Sequence, residues 1–165
     1  MLHWLWLSTL VVFLDQITKH YISQALALCE PGQCESIVLL PVFEFKVLHN
    51  TGAAFSFLDD AGGWQRWMLA AISTGVSGAL TVWLYRLTVQ ERWLAIALAL
   101  ILGGAVGNLI DRVLLGYVVD FILVHYEHHY FPAFNLADSA ITVGAGIMIL
   151  DMLLTRQSRT QEELQ

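Results

Sequence analysis

Long apolar runs alternate with short polar breaks along the chain, and the length and period of each run set the elements it can form. Four windows, about residues 2–28, 64–87, 93–112 and 136–154, carry the roughly 20 mostly apolar residues that a helix needs to cross a bilayer. Between the first two windows the period shifts from 3.6 towards 2: after Pro41, Phe43, Phe45 and Val47 alternate with Glu44, Lys46 and Leu48. That alternation predicts a strand with one apolar and one mostly polar face, lying on the membrane surface. Asn50-Thr51-Gly52 is a turn signal, Ala53 to Phe57 resumes an extended run, and Asp59-Asp60-Ala61-Gly62-Gly63 breaks the chain before the second window. The expectation is an all-α integral membrane protein in a single domain, 1–165. Four transmembrane helices frame a small extracytoplasmic β-sheet, about 36–58, between helices 1 and 2, and an extracytoplasmic loop, about 116–135, between helices 3 and 4.

Composition agrees with the pattern. At 165 residues, 57% hydrophobic and 13% charged, the chain lacks the polar surface of a soluble domain of that length. A net charge of −6 offers no basic stripe to neutralise phosphates, which excludes nucleic acid as a partner. The first window is expected to stay as a span and not to be cleaved as a signal peptide, despite Ala25-Leu26-Ala27, because no Lys or Arg precedes it and Asp15 and Lys19 interrupt it. Cys29 and Cys34, with Gly32 between them, could form a small disulfide in an oxidising compartment or remain two thiols. Arg86 and Arg92 bracket the second connection, and Arg156 and Arg159 follow the last window; by the positive-inside rule both lie in the cytoplasm, with both termini.

Polar residues inside or beside apolar spans are expensive, so each is a candidate for function. In helix 1, Asp15 and Lys19 stand in i,i+4 order on one face, as a structural ion pair or as catalytic support. The end of helix 3 carries Asn108, Asp111 and Arg112 at three- and four-residue spacings, and Gly103 and Gly107 form a GxxxG packing pair. Helix 2 holds Ser73, Gly75, Ser77 and Gly78, small residues that would let helices approach closely. His125-Tyr126-Glu127-His128-His129 does not fit a helical H-E-x-x-H and is cut by Pro132, so an interfacial aromatic loop is expected there, with no metal. Alternation of the spans brings the ends of helices 1 and 3 and the starts of helices 2 and 4 to one face, outward by the arginine rule. Lys19, Asn50, Asn108, Asp111, Arg112, Asp120 and Asp138 therefore gather there, and Asp120 and Asp138 could share one proton as an aspartic protease dyad does.

Five blocks in this order resemble lipoprotein signal peptidase, or signal peptidase II: Asp15-Gln16-Ile17-Thr18-Lys19, Asn50-Thr51-Gly52-Ala53-Ala54-Phe55-Ser56, Gly104 through Arg112, Val118-Val119-Asp120-Phe121 and Phe134-Asn135-Leu136-Ala137-Asp138-Ser139. The resemblance covers nearly the whole chain, and the Cys29 to Cys34 loop lies outside its pattern. It implies a bacterial inner-membrane aspartic endopeptidase that removes the signal peptide of diacylglyceryl-modified prolipoproteins before the lipidated cysteine, without metal or cofactor. It also implies blockage by globomycin-type inhibitors, with Asp120 and Asp138 as the catalytic pair. Asp15, Lys19, Asn50, Gly104, Asn108, Asp111, Arg112, Asn135 and Ala137 match the positions that support the dyad or bind substrate and inhibitor. Membrane lipid is the further partner, and a monomer is expected.

The order of charge within the dyad follows from local chemistry. Asn135 is a strong N-cap type, which would put Asp138 at the third position of helix 4, near free N–H groups and the positive dipole end. Asp120, flanked by Val118, Val119, Phe121 and Ile122, has no such cap and would hold the shared proton. The competing readings are a proton-coupled transporter with Asp15, Asp111, Asp120 and Asp138 as a relay, for which no inverted repeat speaks, and a non-enzymatic assembly factor.

Overall fold

The computed structural model describes residues 1–52 and 62–162, with side chains described to residue 154. A single-turn 3-10 helix, Leu2–Trp4, leads into α1 (Leu5–Ala25); strands β1 (Ile37–Leu40) and β2 (Phe43–Asn50) follow, then α2 (Trp64–Arg86), α3 (Arg92–Leu114), β3 (Val118–Tyr126), β4 (His129–Tyr130) and α4 (Leu136–Glu162). The extended run expected at Ala53 to Phe57 and the break at Asp59 to Ala61 lie outside the described residues.

α3 is the axis of the helical layer. Half of its apolar window is buried, against 11% in α2 and 17% in α4, so the other two present most of their surface outward. Its buried residues are mainly small or apolar: Ala95, Ala97, Leu98, Ala99, Leu102, Gly103, Gly104 and Gly107. A Cβ on Gly103 would press on Val11 and the Ser8 carbonyl of α1, and one on Gly144 on the Ala97 carbonyl of α3. Helix backbones thus meet where side chains are absent, as small-residue packing in a membrane requires. The Ser8 hydroxyl donates to the Ala99 carbonyl at 2.7 Å, tying α1 to α3 across this contact. Of the small residues expected to pack helix 2 closely, Gly75 and Gly78 have no atom within 4 Å of where a Cβ would stand and face outward, whereas Ser73 and Ser77 are half-buried, with the Ser77 hydroxyl oxygen enclosed.

Three helical stretches, Trp64–Arg86, Val89–Leu114 and Leu136–Leu154, are long and apolar enough to cross a membrane. α1 is as long, at 21 residues, but Asp15, Gln16, Lys19 and His20 dilute its hydropathy, and it is not among them. It also starts later and ends earlier than the apolar window around it, since residues Leu26 to Leu28 turn extended to approach β2.

The sheet is larger than the sequence pattern indicates. It is antiparallel with order β1-β2-β3-β4, and two of its strands come from the segment between α3 and α4 that reads as loop. The reason is burial on both faces: Val118, Val119, Asp120, Phe121 and Leu123 are all buried, so the segment reads, but for Asp120, as an apolar run instead of alternation. β2 pairs with β3 through Leu48 opposite Asp120 and Asn50 opposite Val118, with the register shifting between Phe45 and Leu48. That irregularity interrupts the simple two-face alternation expected of β2.

Cys29 and Cys34 form a disulfide that closes the loop between α1 and β1, and the Cys29 N–H donates to the Val47 carbonyl at 2.9 Å, fastening that loop to β2. Replacing both cysteines by serine is expected to lower folding stability by about 2 kcal/mol, the loop-closure value for so short a ring, and to leave turnover unchanged. Thermal unfolding with and without reductant checks this.

Candidate active site

Asp120 lies in the middle of β3 and Asp138 in the first turn of α4, and one side chain connects them. The Asn135 amide nitrogen donates to Asp120 Oδ1 at 2.8 Å, and its oxygen accepts the Asp138 N–H at 2.9 Å. In return Asp138 Oδ2 accepts the Asn135 N–H at 3.2 Å, which closes a reciprocal cap on α4 with Asn135 at the N-cap. The helix start expected from Pro132 and Asn135 is therefore present, and Asn135 is fully buried.

Each carboxylate oxygen of the pair has a nitrogen donor. Asp120 Oδ2 accepts from the Asn50 amide at 3.0 Å, and Asp138 Oδ1 from the Asn108 amide at 2.8 Å. The two acids differ in surroundings. Asp120 is 3% exposed, whereas Asp138 is half-buried at the mouth of the site. Burial pushes the Asp120 carboxyl up to about 6; the Asn50 and Asn135 donors and Lys19 pull it down, and the nearby Asp138 charge raises it further.

Behind the dyad stands a buried cluster centred on Lys19. Its ammonium pairs with Asp15 Oδ2 and Asp111 Oδ2, each at 2.8 Å, and donates to Asn108 Oδ1 at 3.0 Å. Both acids also grip backbone. Asp15 Oδ1 accepts the Ala137 N–H at 2.9 Å, and Asp111 Oδ2 accepts the Val119 N–H at 3.2 Å. Ala137 and Val119 are the residues directly before Asp138 and Asp120. Buried charges normally cost more than they return, and this cluster is tolerable because the ammonium and both carboxylates are multiply hydrogen-bonded. Gly104 and Gly107 make room for it: a Cβ on Gly104 would strike the Ala137 carbonyl, and one on Gly107 would approach Asp15 Oδ2. Arg112 lines the dyad cavity and donates to the Gly52 carbonyl at 3.2 Å, holding the turn that carries Asn50.

All eleven residues singled out from the sequence thus converge at one end of the helical layer. Two contributors were missed. Gln16 donates to Asp111 Oδ1 at 2.8 Å, to Asp15 Oδ2 at 3.2 Å and to the Gly107 carbonyl at 3.2 Å; it stands inside the Asp15 to Lys19 block, and its polarity in an apolar helix was the available signal. Arg66 donates to the Arg112 and Val113 carbonyls, each at 2.7 Å, closing the end of α3, and it packs on Gly116, whose φ of 94° only glycine adopts freely. No local pattern announces a contact between residues 46 positions apart.

The dyad opens into a cavity of about 540 Å³ whose apolar wall is made by Phe131, Phe134, Ile141 and Val143. Phe131 and Val143 are more than half exposed on the outer surface of the protein, so the apolar wall runs out to where lipid would be. Two acids linked through one amide, beside an apolar groove, suit acid–base chemistry on a substrate with an apolar part. Among the described residues no group of three or more His, Cys, Asp or Glu side chains is arranged to hold a metal ion.

Comparison with known proteins places these features in context. A family model described as signal peptidase (SPase) II matches residues 7–154. The chain is 57% identical over 159 residues to the lipoprotein signal peptidase of Pseudomonas putida, covering 95% of this chain and 90% of that protein. It is 55% identical over 159 residues to the lipoprotein signal peptidase of Pseudomonas aeruginosa, covering 95% and 91%. A bacterial membrane enzyme solved by the in meso method at 2.3 Å superposes with a TM-score of 0.82 at 29% identity, over 94% of this chain and 90% of that one. A second such structure, at 1.9 Å, gives 0.76 at 30% identity, over 92% of each.

Proposed function

The chain belongs to the signal peptidase II family, and on that footing we propose that it removes the signal peptide of diacylglyceryl-modified prolipoproteins by aspartic chemistry, cutting before the lipidated cysteine. The observation that carries this reading is the pair Asp120 and Asp138, joined through Asn135 at the mouth of an apolar cavity. The family assignment leaves the transporter and assembly-factor readings without support.

In this mechanism Asp138, ionised, takes a proton from water as the water attacks the scissile carbonyl, and Asp120 gives its proton to the carbonyl oxygen. As the tetrahedral diol collapses, Asp138 passes its proton to the leaving amine and one diol hydroxyl returns a proton to Asp120. The dyad ends with the single proton it began with, and no covalent intermediate forms. The half-exposed position of Asp138 suits contact with water, and the burial of Asp120 suits the proton-bearing role.

The groove of Phe131, Phe134, Ile141 and Val143 is the place for substrate acyl chains, and a globomycin-type inhibitor would compete there. We read α1 as a fourth span, its polar Asp15, Gln16 and Lys19 turned inward to the cluster and its Trp6, Leu10, Phe13 and Leu14 turned to lipid. The sheet then sits on the outer face of the bacterial inner membrane, with both termini cytoplasmic. The Cys29–Cys34 disulfide supports that orientation, since such bonds persist in oxidising compartments, and so do the four arginines at the other end. We expect the enzyme to act as a monomer.

The pH dependence of kcat/KM tests the assignment of roles. Activity should fall as pH rises through about 6, where Asp120 loses its proton. Asn50 donates to Asp120 and so favours its charged form. Asn50→Ala should therefore move this alkaline limb to higher pH. A limb that stays in place, or moves to lower pH, would contradict Asp120 as the proton carrier.

A further inference from the structure

An asparagine amide has a donor end and an acceptor end, and which end meets a carboxylate is decided by what holds the other. Three such amides face the dyad. The oxygen of Asn50 accepts the Gly52 N–H at 3.1 Å, and that of Asn135 accepts the Asp138 N–H at 2.9 Å; backbone donors cannot reverse. Asn108 differs, because its oxygen is held by the Lys19 ammonium at 3.0 Å, a group with three hydrogens and no acceptor. With that end fixed, the Asn108 nitrogen has to point at Asp138 Oδ1.

Without the ammonium, Asn108 could turn over and present its oxygen to Asp138 Oδ1. Two oxygens at that distance need a hydrogen between them, which only a protonated Asp138 supplies. The Asn135 hydrogen that now reaches Asn108 Oδ1 at 3.1 Å would keep an acceptor after the turn, the Val119 carbonyl at 3.3 Å. The charged groups facing the ammonium are Asp15 from its own helix and Asp111 from α3. On its open side a second cavity, about 520 Å³, carries His20, His49 and Tyr117.

We propose that Lys19 is a positioning residue that decides which aspartate holds the proton: by fixing the direction of Asn108 it keeps Asp138 ionised and leaves the proton on Asp120. This rests on the dyad reading and adds a control element to it. The same ammonium holds Asp15 and Asp111, whose grips on the Ala137 and Val119 N–H groups set the two strands of backbone carrying the acids. Lys19 touches neither substrate nor reacting atom, and acts only through these neighbours.

The test is infrared spectroscopy of the full chain with a carbon-13 carboxyl label at residue 120 or at residue 138, at about pH 5, below the pH at which Asp120 gives up its proton, in wild type, Lys19→Met and Lys19→Arg. The wild-type protonated-acid band should respond to the label at 120. In Lys19→Met it should respond to the label at 138, with kcat for a lipidated peptide down about 100-fold and KM within about threefold. Lys19→Arg, which keeps a donor without an acceptor, should retain the band at 120. If Lys19→Met does not fold, Asn108→Ala decides: it removes the donor to Asp138 and leaves the ion pairs of Lys19 intact, so a band at 138 should appear. A band that stays on residue 120 in folded Lys19→Met, or in Asn108→Ala where Lys19→Met does not fold, overturns the proposal, whatever happens to kcat, and so does a wild-type band on residue 138. Failure of the dyad itself would show differently, as cleavage by Asp120→Asn or Asp138→Asn.

Discussion

Asp120→Asn and Asp138→Asn should each lower kcat for cleavage of a lipidated peptide by about 1,000-fold or more, at little loss of folded protein. Asparagine has the shape of aspartate but can neither accept a proton from water nor give one to a carbonyl. The stability change is set by two opposing effects. Removing a buried charge relieves desolvation, whereas the new amide nitrogen meets a nitrogen already there: the Asn50 amide or the Asn135 amide beside residue 120, and the Asn108 amide or the Asn135 N–H beside residue 138. An unmade buried hydrogen bond costs about 1 to 3 kcal/mol, and the relief offsets part of it, so both variants should melt within several degrees of wild type. Single-turnover rates and thermal melts on the same preparations separate lost chemistry from lost fold.

Gly104→Ala is the second large effect, and it reaches the dyad by crowding backbone, without removing any polar side chain. The added methyl would strike the Ala137 carbonyl and Ile141, at the first turn of α4. A helix backbone cannot yield as a side-chain tip can, so α4 has to move away from α3. Overpacking of this kind costs about 1 to 3 kcal/mol. The heavier consequence is geometric. Ala137 precedes Asp138 and is gripped by Asp15 through its N–H, so a displacement of α4 stretches that grip and carries Asp138 from Asn108. A misplacement of about 1 Å can cost 100-fold in rate, and a kcat loss of about that size is expected. Gly146→Ala on the same helix, where no atom lies within 4 Å of the new methyl, should leave kcat at the wild-type value. Equal losses in the two variants would contradict the close-packing explanation.

What could be read from the sequence was set by how far each interaction reaches along the chain. The apolar windows, the Asn135 cap on α4 and the i,i+4 order of Asp15 and Lys19 are local: each window holds a helix, three of them long and apolar enough to cross a membrane, and the cap and the ion pair are present. The gathering of Asn50, Asn108, Asp120 and Asp138 at one end followed from alternation of the spans, and their hydrogen bonds make it concrete. β3 was not legible, because a strand buried on both faces loses the period-2 signature. α2 was legible in part, for a different reason: small residues permit close packing but do not require it, so Ser73 and Ser77 are half-buried while Gly75 and Gly78 face outward. Arg66 lay beyond local inference, since its acceptors are carbonyls at the far end of another helix.

The most direct measurement of the central claim is the mass of the products formed when purified protein in detergent meets a peptide spanning a lipobox, supplied with and without a diacylglyceryl group on its cysteine. The expected result is one cut, before the cysteine, in the lipidated peptide only, leaving a free amine on the lipid-bearing product. An intact lipidated peptide in the presence of folded protein, or a cut elsewhere in the sequence, would contradict the assignment of Asp120 and Asp138 as the dyad of a lipoprotein signal peptidase.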